Sequence, residues 1–261
     1  MKKILDTLEV TDNERIGYIT LNRPDKRNAL NPVMVNELIS VLEGFSQDPA
    51  VKVVVLRANG NSFCAGADLQ TLQQMQQATF EENLEDSMRL KSLFQLLYEF
   101  PKIVIAQVQG HALAGGCGLA SVCDFIFSVP EAKYGYTEVK IGFIPAIVLC
   151  FLTKKIGEAR SRDLLLSGRI ISAAEGKEIG LVHRVCQREN IETEVNHFAS
   201  ELCLQTSGQA VAHTKKLLAD ISNMNLNDAL THAAQQNAFA RSSDDCQKGI
   251  RAFLNKEELK W

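Results

Sequence analysis

Residues 108–124, VQGHALAGGCGLASVCD, set two adjacent glycines, Gly115 and Gly116, at the opening of an apolar helix that follows a buried-looking strand. A second glycine-bearing turn, SFCAGADL at 62–69, follows another such strand. Each turn can aim a backbone N–H at one oxygen, and two together can hold an enolate without a metal. For an isolated Ala-Gly-Gly, tight packing of a helix on a strand is the better reading. Two such turns in matching contexts favour a functional one.

Working outward, residues 16–21 alternate apolar and other side chains, and 51–56 is a β-branched run suited to a strand covered on both faces. Between them lies NPVMVNELISVLEGF, where Asn31 can cap, Pro32 suits the first turn, and Val35, Leu38, Ile39 and Leu42 recur at helical spacing. A polar, glutamine-rich segment at 70–79 leads to a helix over 80–98 whose apolar set includes Leu84, Met88, Leu93, Leu96 and Leu97. Pro101 ends it. KIVIAQV at 102–108 is the next buried strand; the glycine turn, a short helix through Ala120 and a strand over 125–129 follow. Strand, turn, helix and strand at this spacing predict crossovers between parallel strands.

Past Ile147 the pattern is helical, with segments at 160–166, 173–179, 191–204, 209–221, 226–241 and 244–254 and one short strand over 181–185. The organisation expected is a core over 1–200 and a helical oligomerisation region over 201–261.

Composition excludes several classes of function. The chain has 261 residues, 46% of them apolar, with a net charge of −3 from 28 basic and 31 acidic side chains that are interspersed. It can bury a sizeable core, and it presents no obvious face for nucleic acid or an anionic membrane. The N-terminus lacks the continuous apolar centre of a signal peptide, and no apolar run is long enough to cross a bilayer. Seven cysteines without a CxxC pair point to a reducing cytoplasm rather than a disulfide framework or a zinc cage. No bound metal is expected.

Five ordered motifs carry a resemblance that spans nearly the whole chain: LNRPDKRNAL at 21–30, SFCAGADL at 62–69, GHALAGGCGLASVCD at 110–124, YGYTEVKIGFIPA at 134–146 and SGRIISAAEGKEIGLVHRV at 167–185. They resemble the crotonase family of enoyl-CoA hydratases and isomerases. The resemblance implies an α/β spiral of repeated ββα units, with C-terminal helices that build a homotrimer or a homohexamer. It implies an acyl-CoA substrate, with coenzyme A entering as part of the thioester rather than as a tightly bound cofactor. By resemblance, the N–H groups of Ala65 and Gly115 form the oxyanion hole for the thioester carbonyl. Glycine at 115 allows close approach, and the helix behind it adds its positive end.

The resemblance also sets Lys26 or Arg27 beside the CoA phosphates, and Ala65, Ala67, Asp68 and Leu69 around the adenine. Phe253 and Lys256 reach CoA from the C-terminal region. From the residues alone, a charged pair in a loop reads as ordinary solvation, and Asp68 reads equally well as a helix cap.

The chemistry rests on carboxylates. Many hydratases of this family carry two glutamates, one in the helix after the glycine turn and one in a later PE or TE loop. Here Gly118 occupies the first position, and Glu138, in YTEVKIG, occupies the second. Adding water to an α,β-unsaturated thioester needs a proton delivered at Cα and water activated at Cβ. A single carboxylate can shuttle a proton between Cα and Cγ, which is isomerisation. The segment TEVKIGFIPAIV, together with Gly118, resembles methylglutaconyl-CoA hydratase-like members. Tyr134, Tyr136 and the apolar stretch after Glu138 argue for burial and a raised carboxyl pKa. His111 reads as a histidine packed at a strand end, and Cys64 and Cys117 as small packing residues. The leading reading is a hydratase acting on an enoyl-CoA or 3-methylglutaconyl-CoA, ahead of an enoyl-CoA isomerase and of a silent acyl-CoA-binding scaffold.

Overall fold

The computed structural model describes residues 2–261. β1 (Lys2–Ile4), β2 (Leu8–Asn13) and β3 (Ile16–Leu21) form an antiparallel meander with Val10 opposite Ile19. Asn31 then caps α1 (Pro32–Gln47), its side-chain oxygen accepting from Met34 N–H at 2.9 Å. Met34, Leu38 and Leu42 bury one stripe of that helix. β4 (Val53–Ala58) starts two residues later than the β-branched run suggests, and Lys52, just before it, donates its Nζ to Cys203 O at 2.8 Å.

From β4 onward one layout recurs. β4 is followed by β5 (Ser62–Cys64), α2 (Leu69–Met75) and α3 (Phe80–Tyr98); β6 (Ile103–Val108) is followed by β7 (His111–Leu113) and α4 (Gly115–Val122). β8 (Phe125–Ser128) is followed by β9 (Lys133–Gly135), a 3-10 turn over Glu138–Ile141 and α5 (Ala146–Ile156). The chain continues through α6 (Glu158–Ser167), β10 (Ile170–Ser172), α7 (Ala173–Glu178), β11 (Arg184–Val185), α8 (Ile191–Gln205), α9 (Gly208–Ile221), α10 (Leu226–Ala240) and α11 (Asp244–Asn255).

The longer strands build a seven-stranded sheet, β1-β2-β3-β4-β6-β8-β11, which is parallel from β3 onward; the short ones build a four-stranded sheet, β10-β9-β7-β5. This is the α/β spiral of ββα units that the resemblance implies, with a mostly helical C-terminus. The second sheet carries no periodicity signal, since each of its strands has only three residues. Four details differ from the sequence reading. The glutamine-rich segment holds α2, α5 runs from Ala146 rather than remaining unassigned, β10 adds a strand among the C-terminal helices, and the expected strand over 181–185 shrinks to β11.

α8 buries Ile191, Val195, Ala199 and Cys203, whereas among α9, α10 and α11 only Ala252 is buried. Leu226, Leu230 and Phe239 of α10 are exposed. No helix among the described residues is long and apolar enough to cross a membrane.

Asn28 fastens the loop before α1 to the start of β5. It is wholly buried, with φ at +53°, a left-handed conformation that asparagine tolerates better than most side chains. Its Oδ1 accepts from Arg23 N–H at 2.8 Å, and its Nδ2 donates to Asn59 O and Ser62 O at 2.8 and 2.9 Å. Removing one partner of a buried hydrogen bond leaves the other to carry its desolvation cost. Asn28→Ala should therefore lower the unfolding free energy by about 2–3 kcal/mol. Urea denaturation checks this, and a loss below about 0.5 kcal/mol would show that the anchor is not needed.

Candidate active site

The two glycine turns meet because glycine leaves room. A Cβ on Gly116 would fall 2.2 Å from Cys64 O, and one on Gly66 would fall 2.9 Å from Ala114 Cβ and 3.5 Å from Gly115 N. α4 thus packs directly on β5, and both packing and function claim these residues. Ala114, just before α4, has φ +49° and ψ −126°, a strained conformation for a residue with a Cβ. Its N–H donates to Gly135 O at 2.7 Å, which ties the turn to β9.

One expected donor is corrected. Ala65 N–H donates to Arg27 O at 3.1 Å and is therefore occupied within the fold. Two residues on, Leu30 forms a parallel bridge with Ala67, donating to Gly66 O at 2.7 Å and accepting from Asp68 N–H at 2.9 Å. That pattern uses the groups flanking Ala67 and leaves Ala67 N–H without a backbone acceptor among the described residues. Gly115, as the first residue of α4, likewise has an N–H with no intrahelical partner. Ala67 and Gly115 border one cavity of about 500 Å³, which Ala65 and Glu138 also line.

Glu138 opens the 3-10 turn after β9 and is 9% exposed. Its Oε2 is buried without a hydrogen-bond partner. Burial raises its carboxyl above the ordinary glutamate value, and a backbone hydrogen bond only partly offsets this. A carboxyl whose pKa is raised, lining one cavity with two free N–H donors, is placed to exchange a proton with a carbon next to an oxyanion.

Gly118 lies on the buried side of α4, and the space where a side chain would go is filled. A Cβ there would meet Val148 Cγ1 at 2.2 Å and Phe94 Cε1 at 3.0 Å. The position is thus closed by α5 and α3. Apolar side chains, among them Leu30, Val35, Leu72, Leu90 and Val148, make most of the cavity wall, with Ile141, Phe143 and Ile144 of the turn before α5 exposed at its rim.

The remaining expected residues divide into two groups. Leu69 borders the cavity, whereas Asp68 serves the fold: it caps α2 by accepting from Gln70 N–H and pairs with Arg23 at 2.9 Å. Burial on its own raises the Asp68 carboxyl, but Gln70 N–H and the Arg23 guanidinium outweigh it and hold it below the usual range. Lys26 and Arg27 are exposed on the loop whose Arg27 carbonyl receives Ala65 N–H. Phe253, 84% exposed, and Lys256 lie at the end of α11 and do not border this cavity. His111 is exposed on β7 rather than packed. Cys64 and Cys117 are fully buried, and burial pushes both thiols up to about 12, which leaves them inert.

Sequence reasoning missed two contributors, Val148 and Asp86. The helical stripe of α3 contains the signal for Asp86, since Leu90, Leu93, Phe94 and Leu97 define its inner face. Leu84 and Met88, expected on that face, are 48% and 51% exposed.

Residues 11–261 match the family described as enoyl-CoA hydratase/isomerase. The chain is 40% identical over 241 residues to a Thermus thermophilus protein named "Putative enoyl-CoA hydratase", covering 92% of this chain and 95% of that one. It is 31% identical over 255 residues to the mitochondrial enoyl-CoA hydratase of Pongo abelii, covering 94% and 83% of the two chains. The crystal structure of an enoyl-CoA hydratase from Shewanella pealeana superposes with a TM-score of 0.92 at 32% identity, covering 98% of this chain and 96% of that one.

Gly118→Glu should overpack the α4–α5 contact and lower the unfolding free energy by about 2 kcal/mol or more. Adding Val148→Ala should recover part of that loss. Denaturant titration of the single and double variants tests the account, and a fully stable Gly118→Glu protein contradicts it.

Proposed function

This chain belongs to the enoyl-CoA hydratase/isomerase family, and from that premise we propose that it adds water across the double bond of an α,β-unsaturated acyl-CoA through an oxyanion-stabilised thioester enolate. The observation that carries this reading is the convergence on one cavity of two unpaired N–H groups, from Ala67 and Gly115, and a buried carboxyl, Glu138.

The thioester oxygen accepts from both N–H groups. As a nucleophile adds at Cβ, the π electrons move toward the carbonyl and negative charge develops on that oxygen. Each aligned donor then contributes on the order of 3 kcal/mol, and the N-terminal end of α4 adds its dipole. Glu138 delivers its proton to Cα, and the enolate returns to the thioester.

Lys26 and Arg27 are the cations proposed for the CoA phosphates, and Leu69 belongs to the proposed adenine loop. Crotonyl-CoA and 3-methylglutaconyl-CoA are the proposed substrates, the second through the resemblance of TEVKIGFIPAIV to hydratases of that type. A homotrimer or homohexamer is proposed from the exposed apolar residues of the C-terminal helices, such as Leu226, Phe239 and Phe253. A second reading, enoyl-CoA isomerisation by Glu138 alone, is favoured by one observation: the closed Gly118 position bars a second carboxylate there.

Hydration should appear as loss of the conjugated enoyl absorbance with crotonyl-CoA or 3-methylglutaconyl-CoA, whereas isomerase action on a 3-enoyl-CoA would instead create that absorbance. Glu138→Gln should cut kcat by about 10²- to 10⁴-fold. Full activity in that variant would exclude Glu138 as the proton carrier. Because hydration uses the protonated acid and burial raises its pKa, kcat/KM should fall as pH rises through a value above the ordinary glutamate range. A fall centred at the value of an exposed glutamate would refute that assignment.

A further inference from the structure

The inward stripe of α3 runs through Asn83, Asp86, Leu90, Leu93, Phe94 and Leu97, all buried or half-buried. Asp86 therefore occupies a position that helical spacing assigns to the core, where an apolar side chain would cost less. It borders the same cavity as Glu138, Ala67 and Gly115, and among the described residues its carboxylate has neither a hydrogen bond nor an ion pair. Its cationic neighbour along the helix, Arg89, is paired with Glu85. A half-buried carboxylate that borders a mostly apolar cavity without a bonded partner is costly for stability alone.

The chemistry of the cavity has a matching gap. Glu138 accounts for the proton at Cα, and the place of a second carboxylate on α4 is filled by Val148. We propose that Asp86 is the second proton-transfer group, binding and deprotonating the water that adds at Cβ; this rests on the hydratase reading above. Water oxygen bonds to Cβ, and its proton passes to the Asp86 carboxylate. The Cα–Cβ π pair moves into the enolate, and the Glu138 proton then forms the new Cα–H bond. One water is consumed, Asp86 ends protonated and Glu138 ionised, and exchange with solvent resets both. Burial raises the Asp86 carboxyl above its ordinary value, against the pull of the Arg89 guanidinium, and so makes its carboxylate a stronger base than an exposed aspartate.

The test compares wild type, Asp86→Asn and Glu81→Gln, the last a control at an exposed carboxylate of the same helix that does not border the cavity. Hydration of crotonyl-CoA and 3-methylglutaconyl-CoA is followed by absorbance, and binding of butyryl-CoA, a saturated thioester, by titration calorimetry. Asp86→Asn should lower hydration kcat about 100-fold or more while leaving the butyryl-CoA Kd within about twofold. Glu81→Gln should match wild type in both. A wild type that hydrates, paired with an Asp86→Asn protein that keeps more than about a third of kcat, overturns the inference and leaves the hydratase reading standing. Loss of binding in parallel with rate assigns Asp86 a structural role and also overturns it. A wild type with no hydration removes the hydratase reading and this inference with it.

Discussion

The constraint on which the rest of the molecule depends is the direct contact between two backbone turns. β5 and β7 lie side by side in the small sheet, and α4 starts where the turn after β5 passes closest. Only glycine fits at 116, since a Cβ there would overlap Cys64 O. The repeating ββα layout delivers the two turns to one edge of the fold, and the strained Ala114 starts α4 there. A structure held this tightly fixes the N–H groups of Ala67 and Gly115 in advance, which is the condition the proposed oxyanion site requires.

Packing also decides which groups line the cavity. Val148 and Phe94 close the space beside Gly118, so α4 meets α5 and α3 there through apolar contact. Carboxylates remain in the cavity wall at Glu138 and Asp86, on elements distant in sequence. Both are raised by burial, the direction expected of carboxyl groups in a cleft with mostly apolar walls.

Much of this was legible from residue order. The covered strands, the Asn31 cap, both glycine turns and the burial of Glu138 follow from local pattern and from the motifs. The shortest strands were not, because three residues carry no usable period. Naming Ala65 as a donor failed for a reason invisible in sequence: hydrogen bonding within one turn alternates, and the loop carbonyl of Arg27 takes that N–H while the Leu30 bridge spares Ala67. The stripe of α3 was read through Leu84 and Met88 because they are apolar, although the register set by Leu93, Phe94 and Leu97 turns them outward. Gly118 was visible as an absent carboxylate, but Val148 as its occupant required the tertiary contact.

The uneven burial of α3 gives the cavity walls unequal stiffness. The final turns of the helix are anchored by Leu93, Phe94 and Leu97, whereas Phe80, Leu84 and Met88 near its start are exposed. Segments with few buried contacts open at lower free energy than the core. The wall carrying Ala67 and Gly115 is therefore the fixed jaw of a vice, and the first half of α3 is its looser jaw. Under the proposed function, the looser jaw would set which acyl groups are admitted while the fixed jaw holds the thioester oxygen. On that reading, breadth of substrate and rate of reaction belong to different parts of one cleft.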